Sequence, residues 1–523
     1  VTLTTPRSVT RLTDRQIRRT LSGMQRLGGL DSAFLIFETS TMHMHVGGLM
    51  LVDPATAKQP YSFADYRRYV EERLPRVPGF RRKLATVPLN LGRPLWVEDP
   101  DFDLDFHLRR TTVAAPGGDR ETADVVGDIL SRQMDRSRPL WEMWVVEGRA
   151  DSLIGVVSKV HHSTIDGITG ANMMAELFDL EPDPAPRDDP PDSWEPERKP
   201  GDLELVGRAI VDMVKQPFSI AKLLPETVLS VGKLVNRRGR GATGMPAPFR
   251  APRTSFNATV TAHRTVAFTD VKLDDVKTIK NAFGVKVNDV VIAICSGALR
   301  TYLAARDELP DRSLIAAIPI SVHDRSEGVE GTTKVSMMFS SLASDIEDPG
   351  ERLRFIAETN AGAKQDHELV GATLLQNWAE HAAPNTFSLA ARMYSSLRLA
   401  DRHPVVHNLV ISNVPGPPIP LYFNGARLVA LHPLGPVMDG AGLNITVLSN
   451  MDAIGFGFIA SKELMPELWD LADAVPGAVA ELLEAARQVE IKKAGGEGSA
   501  AAKPKPKKKA AATKRAAKTA TAS

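Results

Sequence analysis

Two segments of this chain are unfit for any regular helix or sheet, and they set its organisation. Glu181–Gly201 is dense in Pro, Asp, Glu and Arg, and Arg237–Arg253 is rich in Gly, Pro and Arg. Proline lacks a backbone donor and fixes φ, so such stretches interrupt both helix and ladder. Between them, Leu203–Val235 has amphipathic helical spacing broken at Pro217 and Pro225. The chain therefore divides into an N-terminal body over 1–180, a Pro-rich linker with amphipathic helices over 181–255, a C-terminal body over 256–490, and a tail over 491–523. With 523 residues, 43% of them hydrophobic and 24% charged, each body has enough apolar residues to bury a core.

Periodicity gives mixed α/β content in both bodies. In the first, Met44–Val52 reads as a strand, Phe63–Leu74 and Asp124–Asp135 as helices, and Trp141–Glu147 and Leu153–His161 as strands joined by a turn at Gly148–Ser152. A helix is expected from about Ile168 to Phe178. In the second, Thr261–Phe268, Leu314–Ile320, Val405–Ser412, Ala426–Pro433, Asn444–Ser449 and Ala453–Ala460 read as strands. Leu273–Phe283, Asn288–Leu303 and Pro466–Val489 read as helices. From Gly495 onward the chain is low-complexity Ala, Lys and Pro, a composition expected to be disordered.

Several function classes are excluded or disfavoured. The single cysteine, Cys295, leaves no internal disulfide framework and no cysteine metal cluster; it sits in the apolar run Val290–Leu299 and reads as a small buried hydrophobe. An intracellular, reducing compartment fits. No uninterrupted apolar run approaches the ~18–20 residues of a membrane span, and Val1–Thr20 is polar and basic without the apolar stretch of a secretion signal. The net charge of +1 hides an asymmetry. Residues 501–523 hold eight basic residues and no acid, leaving 56 basic and 63 acidic residues in the rest. The tail is a separate cationic device, suited to anionic lipid, to nucleic acid or simply to solvation.

The residues that carry chemistry are His161-His162-Ser163-Thr164-Ile165-Asp166-Gly167, at a strand–loop–helix junction. Side chains alternate along a strand, so only one of the two histidines faces a given cleft. Asp166 lies four residues beyond His162, placed to pair with an arginine or to orient an imidazole; Gly167 permits backbone conformations other residues resist. An alcohol attacking a thioester needs a base near neutrality, which histidine supplies. The thiolate leaving group, with a thiol pKa of ~8.5, needs little help. The bland alternative is a histidine pair that merely ends a strand.

This block, with others in order along the chain, resembles the bacterial wax ester synthase/acyl-CoA:diacylglycerol acyltransferase family. Leu30-Asp31-Ser32-Ala33-Phe34-Leu35 with Met44-His45-Val46-Gly47 resembles the family's opening. Arg93-Pro94-Leu95-Trp96 with Phe102-Asp103 and His107 resembles its next block, and Arg138-Pro139-Leu140-Trp141-Glu142 its PLW block. Asn288-Asp289-Val290-Val291 resembles its ND motif, and Ser412-Asn413-Val414-Pro415-Gly416-Pro417 its late turn. The resemblance implies an α/β fold of two chloramphenicol-acetyltransferase-like domains with the active site in a tunnel between them. It implies acyl-CoA as substrate rather than cofactor, no metal or bound cofactor, and diacylglycerol or a long-chain alcohol as acceptor. It also implies a cytoplasmic protein in peripheral contact with the inner face of the plasma membrane or with lipid droplets. It carries His162 over as the base, His161, Asp166 and Gly167 as the rest of the motif, and Asn288 and Asp289 as residues shaping the site. Asn288 is either a polar group near the oxyanion or the N-cap of the helix it opens. Pro139-Leu140-Trp141 is expected to be core more than channel wall. The sequence departs from the family pattern at Pro319-Ile320-Ser321-Val322-His323, Gly331-Thr332 and Ser449-Asn450, which bears on acceptor choice.

Other signals point elsewhere. Gly239-Arg240-Gly241-Ala242-Thr243-Gly244 fits GxGxxG, but it lies in a linker with no strand before it. His43 and His45 lack a convergent third metal ligand and read as strand structure. No serine sits in a G-x-S-x-G elbow. Condensation-type transfer from a carrier-protein thioester and a non-catalytic lipid- or nucleic-acid-binding role are the competing readings.

Overall fold

The computed structural model describes residues 25–88, 91–164, 176–184, 201, 244–246, 249–322, 334–370 and 384–500. The expected helices at Ile168–Phe178 and Leu203–Val235 lie wholly or mostly outside these residues, as does the tail over 501–523. The strands, in chain order, are β1 Gln25–Arg26, β2 His45–Asp53, β3 Arg82–Ala85, β4 Leu95–Glu98, β5 Leu108–Thr112, β6 Trp141–Glu147, β7 Ile154–His161, β8 Arg264–Lys272, β9 Ile315–Val322, β10 Lys334–Ser341, β11 Leu409–Val414, β12 Tyr422–Phe423, β13 Ala426–Leu434, β14 Leu443–Asn450 and β15 Ala453–Ser461.

Two six-stranded sheets organise the chain. The first runs β12-β13-β2-β7-β6-β5 and the second β10-β9-β11-β14-β15-β8. The division at residue 255 therefore needs correction. β12 and β13 come from the C-terminal half, yet they complete the N-terminal sheet, with Arg427 opposite Asp53 and Leu434 opposite Gly47. The reason is burial on both faces of β2. Met50 and Val52 enter one apolar cluster with Tyr66, Phe80, Trp141 and Phe423. Leu49 and Leu51 enter another with Val126, Leu130, Val157, Phe268 and Ile459. A strand buried on both faces needs partners at both edges to satisfy its backbone.

The second cluster is the seam between the sheets. The helix Asp119–Leu130 lies in it, packed on β8. It begins five residues earlier than periodicity suggests, because the Glu121 carboxylate accepts the Gly118 N–H at 2.8 Å and fixes the first turn. At its other end, His45 Nε2 meets the Leu130 carbonyl at 3.0 Å and the Lys159 ammonium donates to the Arg132 carbonyl at 2.6 Å. These side chains satisfy carbonyls that a helix end leaves open.

The second body is centred on the helix Val287–Ala304. By length and composition this helix could cross a membrane, but Val290 through Leu299 are all buried within the protein core. Cys295 is among them, and burial pushes its thiol up to about 12. The last helical stretch splits into Leu468–Asp473 and Val475–Ala500, so the helix continues past the tail boundary expected at 490. Lys493 anchors that extension by donating to the Ala282 carbonyl at 2.7 Å.

At the seam the two sheets approach so closely that side chains do not fit. A Cβ on Gly457 would stand 1.9 Å from the Pro433 carbonyl oxygen, and one on Gly455 2.1 Å from that of Leu431. Gly457→Ala is expected to lower unfolding free energy by about 3 kcal/mol or more, the upper range for overpacking, because backbone must move. Urea unfolding measures it; a wild-type midpoint would show that the seam yields freely.

Candidate active site

β7 delivers the histidine pair. Ile154, Val156 and Val160 face the N-terminal core, and Val157 faces the seam. By alternation Lys159 and His161 share the seam-facing side with Val157. The strand then ends, and His162–Thr164 form a single 3₁₀ turn. His162 is tied to the residue before β2 by its N–H, which donates to the Met44 carbonyl at 2.8 Å.

His161 is a fully buried structural member of the pair. Its Nδ1 accepts the Ser163 backbone N–H at 3.1 Å and lies 2.7 Å from the Ser163 hydroxyl. A nitrogen that accepts carries no hydrogen, so the ring proton sits on Nε2. That Nε2 faces the Glu38 carboxylate, 3.7 Å from Oε2. Arg136 grips the same oxygen through Nε at 2.7 Å and through a second nitrogen, and also donates to the Leu35 carbonyl at 2.9 Å. Burial would raise the Glu38 pKa. The hydrogen of His161 and the charge of Arg136 outweigh it and hold the carboxyl at about 2. Glu38 is therefore an anion anchored at the end of the helix Gly29–Phe37.

His162 differs in every respect. It is partly exposed, and its ring stacks on Phe34 with centroids 3.8 Å apart and planes 17° apart. Its Nδ1 has no hydrogen-bond partner among the described residues. Burial, reinforced by the neighbouring His161, pushes its pKa down to about 4. The imidazole is thus neutral at pH 7 and held flat by an apolar wall, which leaves a ring lone pair able to take a proton.

Asp166 and Gly167 lie outside the described residues. Asn288 and Asp289 sit at the start of the helix Val287–Ala304, and neither hydrogen-bonds to His161 or His162. Asp289 accepts the Lys286 N–H at 3.1 Å and the Asn360 amide at 3.0 Å. Because that carboxylate fixes the turn, the helix opens at Val287 with Lys286 as its cap, so Asn288 is not the N-cap. The Asn288 side-chain oxygen instead accepts from Asn413 at 3.2 Å, joining the ND block to the late turn. Gly416 in that turn donates to the Ser449 hydroxyl at 3.0 Å. Trp141 is core, as expected: its indole donates to the Phe80 carbonyl at 2.8 Å, and its ring lies between Phe80 and His107. His43 and His45 bond to the Ser40 and Leu130 carbonyls, and the described residues contain no cluster fit for a metal ion.

One cavity lies beside this arrangement and another lies far from it. One of about 600 Å³ opens beside Glu38 and Arg136 and is walled by Thr41, Gln133, Thr259, Arg392 and Ser395. The other, about 910 Å³, lies at the far end of β2, beside Pro54, Tyr61 and Asp179. Eight residue steps take β2 from the His45–His161 pair to Asp53, next to that rim, roughly 26 Å at strand rise. The smaller cavity meets the histidine motif only through Glu38, whose carboxylate faces His161.

Residues 27–291 match the model of the wax ester synthase/diacylglycerol acyltransferase catalytic domain, and residues 332–483 that of the family's C-terminal domain. The chain belongs to this family. It is 40% identical over 468 residues to a Mycobacterium tuberculosis (strain CDC 1551 / Oshkosh) protein assigned as a diacylglycerol O-acyltransferase, covering 88% of this chain and 91% of the relative. It is 33% identical over 469 residues to the probable diacylglycerol O-acyltransferase tgs2 of Mycobacterium tuberculosis (strain ATCC 25618 / H37Rv), covering 87% and 98%. Among solved structures, the wax ester synthase/diacylglycerol acyltransferase from Marinobacter aquaeolei VT8 superposes with a TM-score of 0.62 at 30% identity, over 88% of this chain and 99% of that one. The first condensation domain of the calcium-dependent antibiotic synthetase shares the fold, with a TM-score of 0.52 at 14% identity over 89% and 96%. The two α/β domains are thus the chloramphenicol-acetyltransferase-like pair of the wax ester synthase/diacylglycerol acyltransferase family.

Phe34, Glu38 and Arg136 had no assigned role in the sequence reading. The only hint was positional: an acid directly after an apolar helix, and a basic cluster before the PLW block. Since the Glu38 pKa falls from 4.5 to about 2 on folding, its stabilisation is full above 4.5 and is lost as pH falls towards 2. Between about pH 6 and 3 the wild type should lose about 2 kcal/mol through this group, and Glu38→Gln should lack that component. Denaturant unfolding across the range reads it; parallel curves would place Glu38 outside the network.

Proposed function

We propose that this chain is an acyl-CoA-dependent O-acyltransferase that moves a long-chain acyl group onto diacylglycerol to form triacylglycerol, and onto long-chain alcohols to form wax esters. The names borne by its relatives support the substrates. The observation that carries the chemistry is His162: neutral, stacked on Phe34, and set at a strand end beside an anchored, buried partner.

In this reading His162 takes the proton from the acceptor hydroxyl as its oxygen attacks the thioester carbonyl. The tetrahedral adduct collapses, the C–S bond breaks, and the imidazolium returns its proton to the departing sulfur. No covalent enzyme intermediate and no cofactor is needed. Acyl-CoA is a substrate, and the apolar acceptor brings the protein to the cytoplasmic face of a membrane or to a lipid droplet.

CoA release from palmitoyl-CoA, with diacylglycerol, with hexadecanol and with neither, tests the proposal in wild type and His162→Ala. Acceptor-dependent release should fall at least about 100-fold in the variant, the low end for a lost general base. Release that needs no acceptor would make the protein a thioesterase, and a carrier-protein thioester as the sole donor would make it a condensation enzyme. A second readout follows from the low pKa. The neutral form persists above about 4, so kcat/KM should stay level from pH 8 to 5. An ordinary histidine near 6.5 would lose about 30-fold by pH 5; such a limb would contradict His162 as the free-enzyme base.

A further inference from the structure

The helix Pro384–Ser396 is amphipathic the wrong way round. Leu389, Met393 and Leu397 recur every four residues and are 60%, 50% and 53% exposed. Leu397 keeps the helical spacing because its N–H donates to the Met393 carbonyl at 2.9 Å. Small or polar side chains turn inward instead: Ala391 is buried, and Ser395 meets the Thr41 hydroxyl at 3.4 Å. A surface helix in a soluble body normally directs its apolar stripe to the core. No other described helix exposes three large apolar side chains at this spacing.

Two further observations say what covers the stripe. The helix packs on Gly29–Phe37, whose last residue, Phe37, is itself 45% exposed. Cations accompany it. Arg392 and Arg402 are exposed and form no ion pair among the described residues, while Arg398 is paired with Asp401. Apolar side chains accompanied by these exposed arginines match a lipid surface with anionic headgroups: the carbon chains enter the acyl boundary and the guanidiniums stay among the phosphates.

The position is also telling. Arg392 and Ser395 wall the 600 Å³ cavity that reaches Glu38, and Phe34 of the packed helix stacks on His162. We propose that the face formed by Leu389, Met393, Leu397 and Phe37, flanked by Arg392 and Arg402, is the surface by which the protein docks on an anionic lipid assembly, with the cavity mouth against the lipid. This deepens the lipid-acceptor reading above, but docking is read without catalysis.

The experiment uses the full chain with Leu389→Cys, labelled with a polarity-sensitive fluorophore. The native Cys295 is buried, so the new thiol takes the label. Adding phosphatidylcholine vesicles that contain phosphatidylglycerol should shift the emission to the blue. A label at Lys277→Cys, exposed on another helix, should stay unchanged. Leu389→Ser/Met393→Ser/Leu397→Ser should weaken co-sedimentation with the vesicles by at least about ten-fold, at an unchanged melting temperature. Arg392→Glu/Arg402→Glu should erase the preference for phosphatidylglycerol over phosphatidylcholine alone. Co-sedimentation without a shift at position 389 would overturn the proposal by placing the contact elsewhere, the basic tail included, and so would wild-type binding by the triple serine variant. A shift in a protein that lacks transferase activity would keep the docking surface and remove the catalytic reading.

Discussion

The pairing of β13 with β2 holds the two halves of this protein in one arrangement. Residues 427–434 run antiparallel to residues 47–53 and so close the N-terminal sheet with a strand from the distant half of the chain. The carbonyls of Leu431 and Pro433 lie where Cβ atoms of Gly455 and Gly457 would be, which brings the second sheet to backbone contact. Neither sheet can shift without breaking a ladder or opening that seam. The histidine motif sits at the end of β7, the other neighbour of β2, and takes its position from this packing.

A seam this tight buries polar groups, and the protein deals with them by placing each beside a partner with a structural need. His45 and the fully buried Lys159 satisfy carbonyls at the end of the helix Asp119–Leu130. Burial lowers the Lys159 pKa, and Glu142, 3.6 Å away, works against that shift. Glu38 is compensated by Arg136 on one side and His161 on the other. Removing one member of such a set strands the others in a low dielectric, a cost greater than any single bond in the set. The same set positions the catalytic candidate, because His161 can hold one orientation only while Ser163 and Glu38 flank it. The backbone of His162 follows directly from that orientation.

Much of this was legible in the sequence, for identifiable reasons. Strands such as Trp141–Glu147 and Ala426–Leu434 announce themselves by alternation and flanking turns, and the histidine pair by its place after an apolar strand. What periodicity lacks is partner identity. Ala426–Leu434 reads as a strand of its own half, since nothing local says that it pairs with residues 47–53. Apolar spacing misses the start of the helix Asp119–Leu130 because Gly118 and Glu121 form its cap by contact. Asn288 reads as a cap by residue type, but Asp289 takes that work and moves the boundary by one residue. Glu38 and Arg136 were silent because they lie 98 positions apart. Only folding shows that a carboxylate after one helix and a guanidinium before a strand share a buried site.

The division of labour proposed for the two histidines, with His162 as the base, also resolves an apparent contradiction in the chemistry. A base with a pKa near 4 is weak, and full deprotonation of an alcohol before attack is beyond it. Proton transfer therefore has to accompany C–O bond formation, when the hydroxyl oxygen is losing electron density to the carbonyl and its proton is most acidic. The second half of the reaction then favours the same residue. An imidazolium with so low a pKa is a strong acid, and the departing thiolate, with a thiol pKa of ~8.5, takes its proton readily. A more basic histidine would assist the attack more and the departure less, and near neutrality part of it would already be protonated. In this proposal, desolvation beside Phe34 keeps the ring neutral near pH 7. The apolar wall that weakens His162 as a base is thus what keeps it available as one.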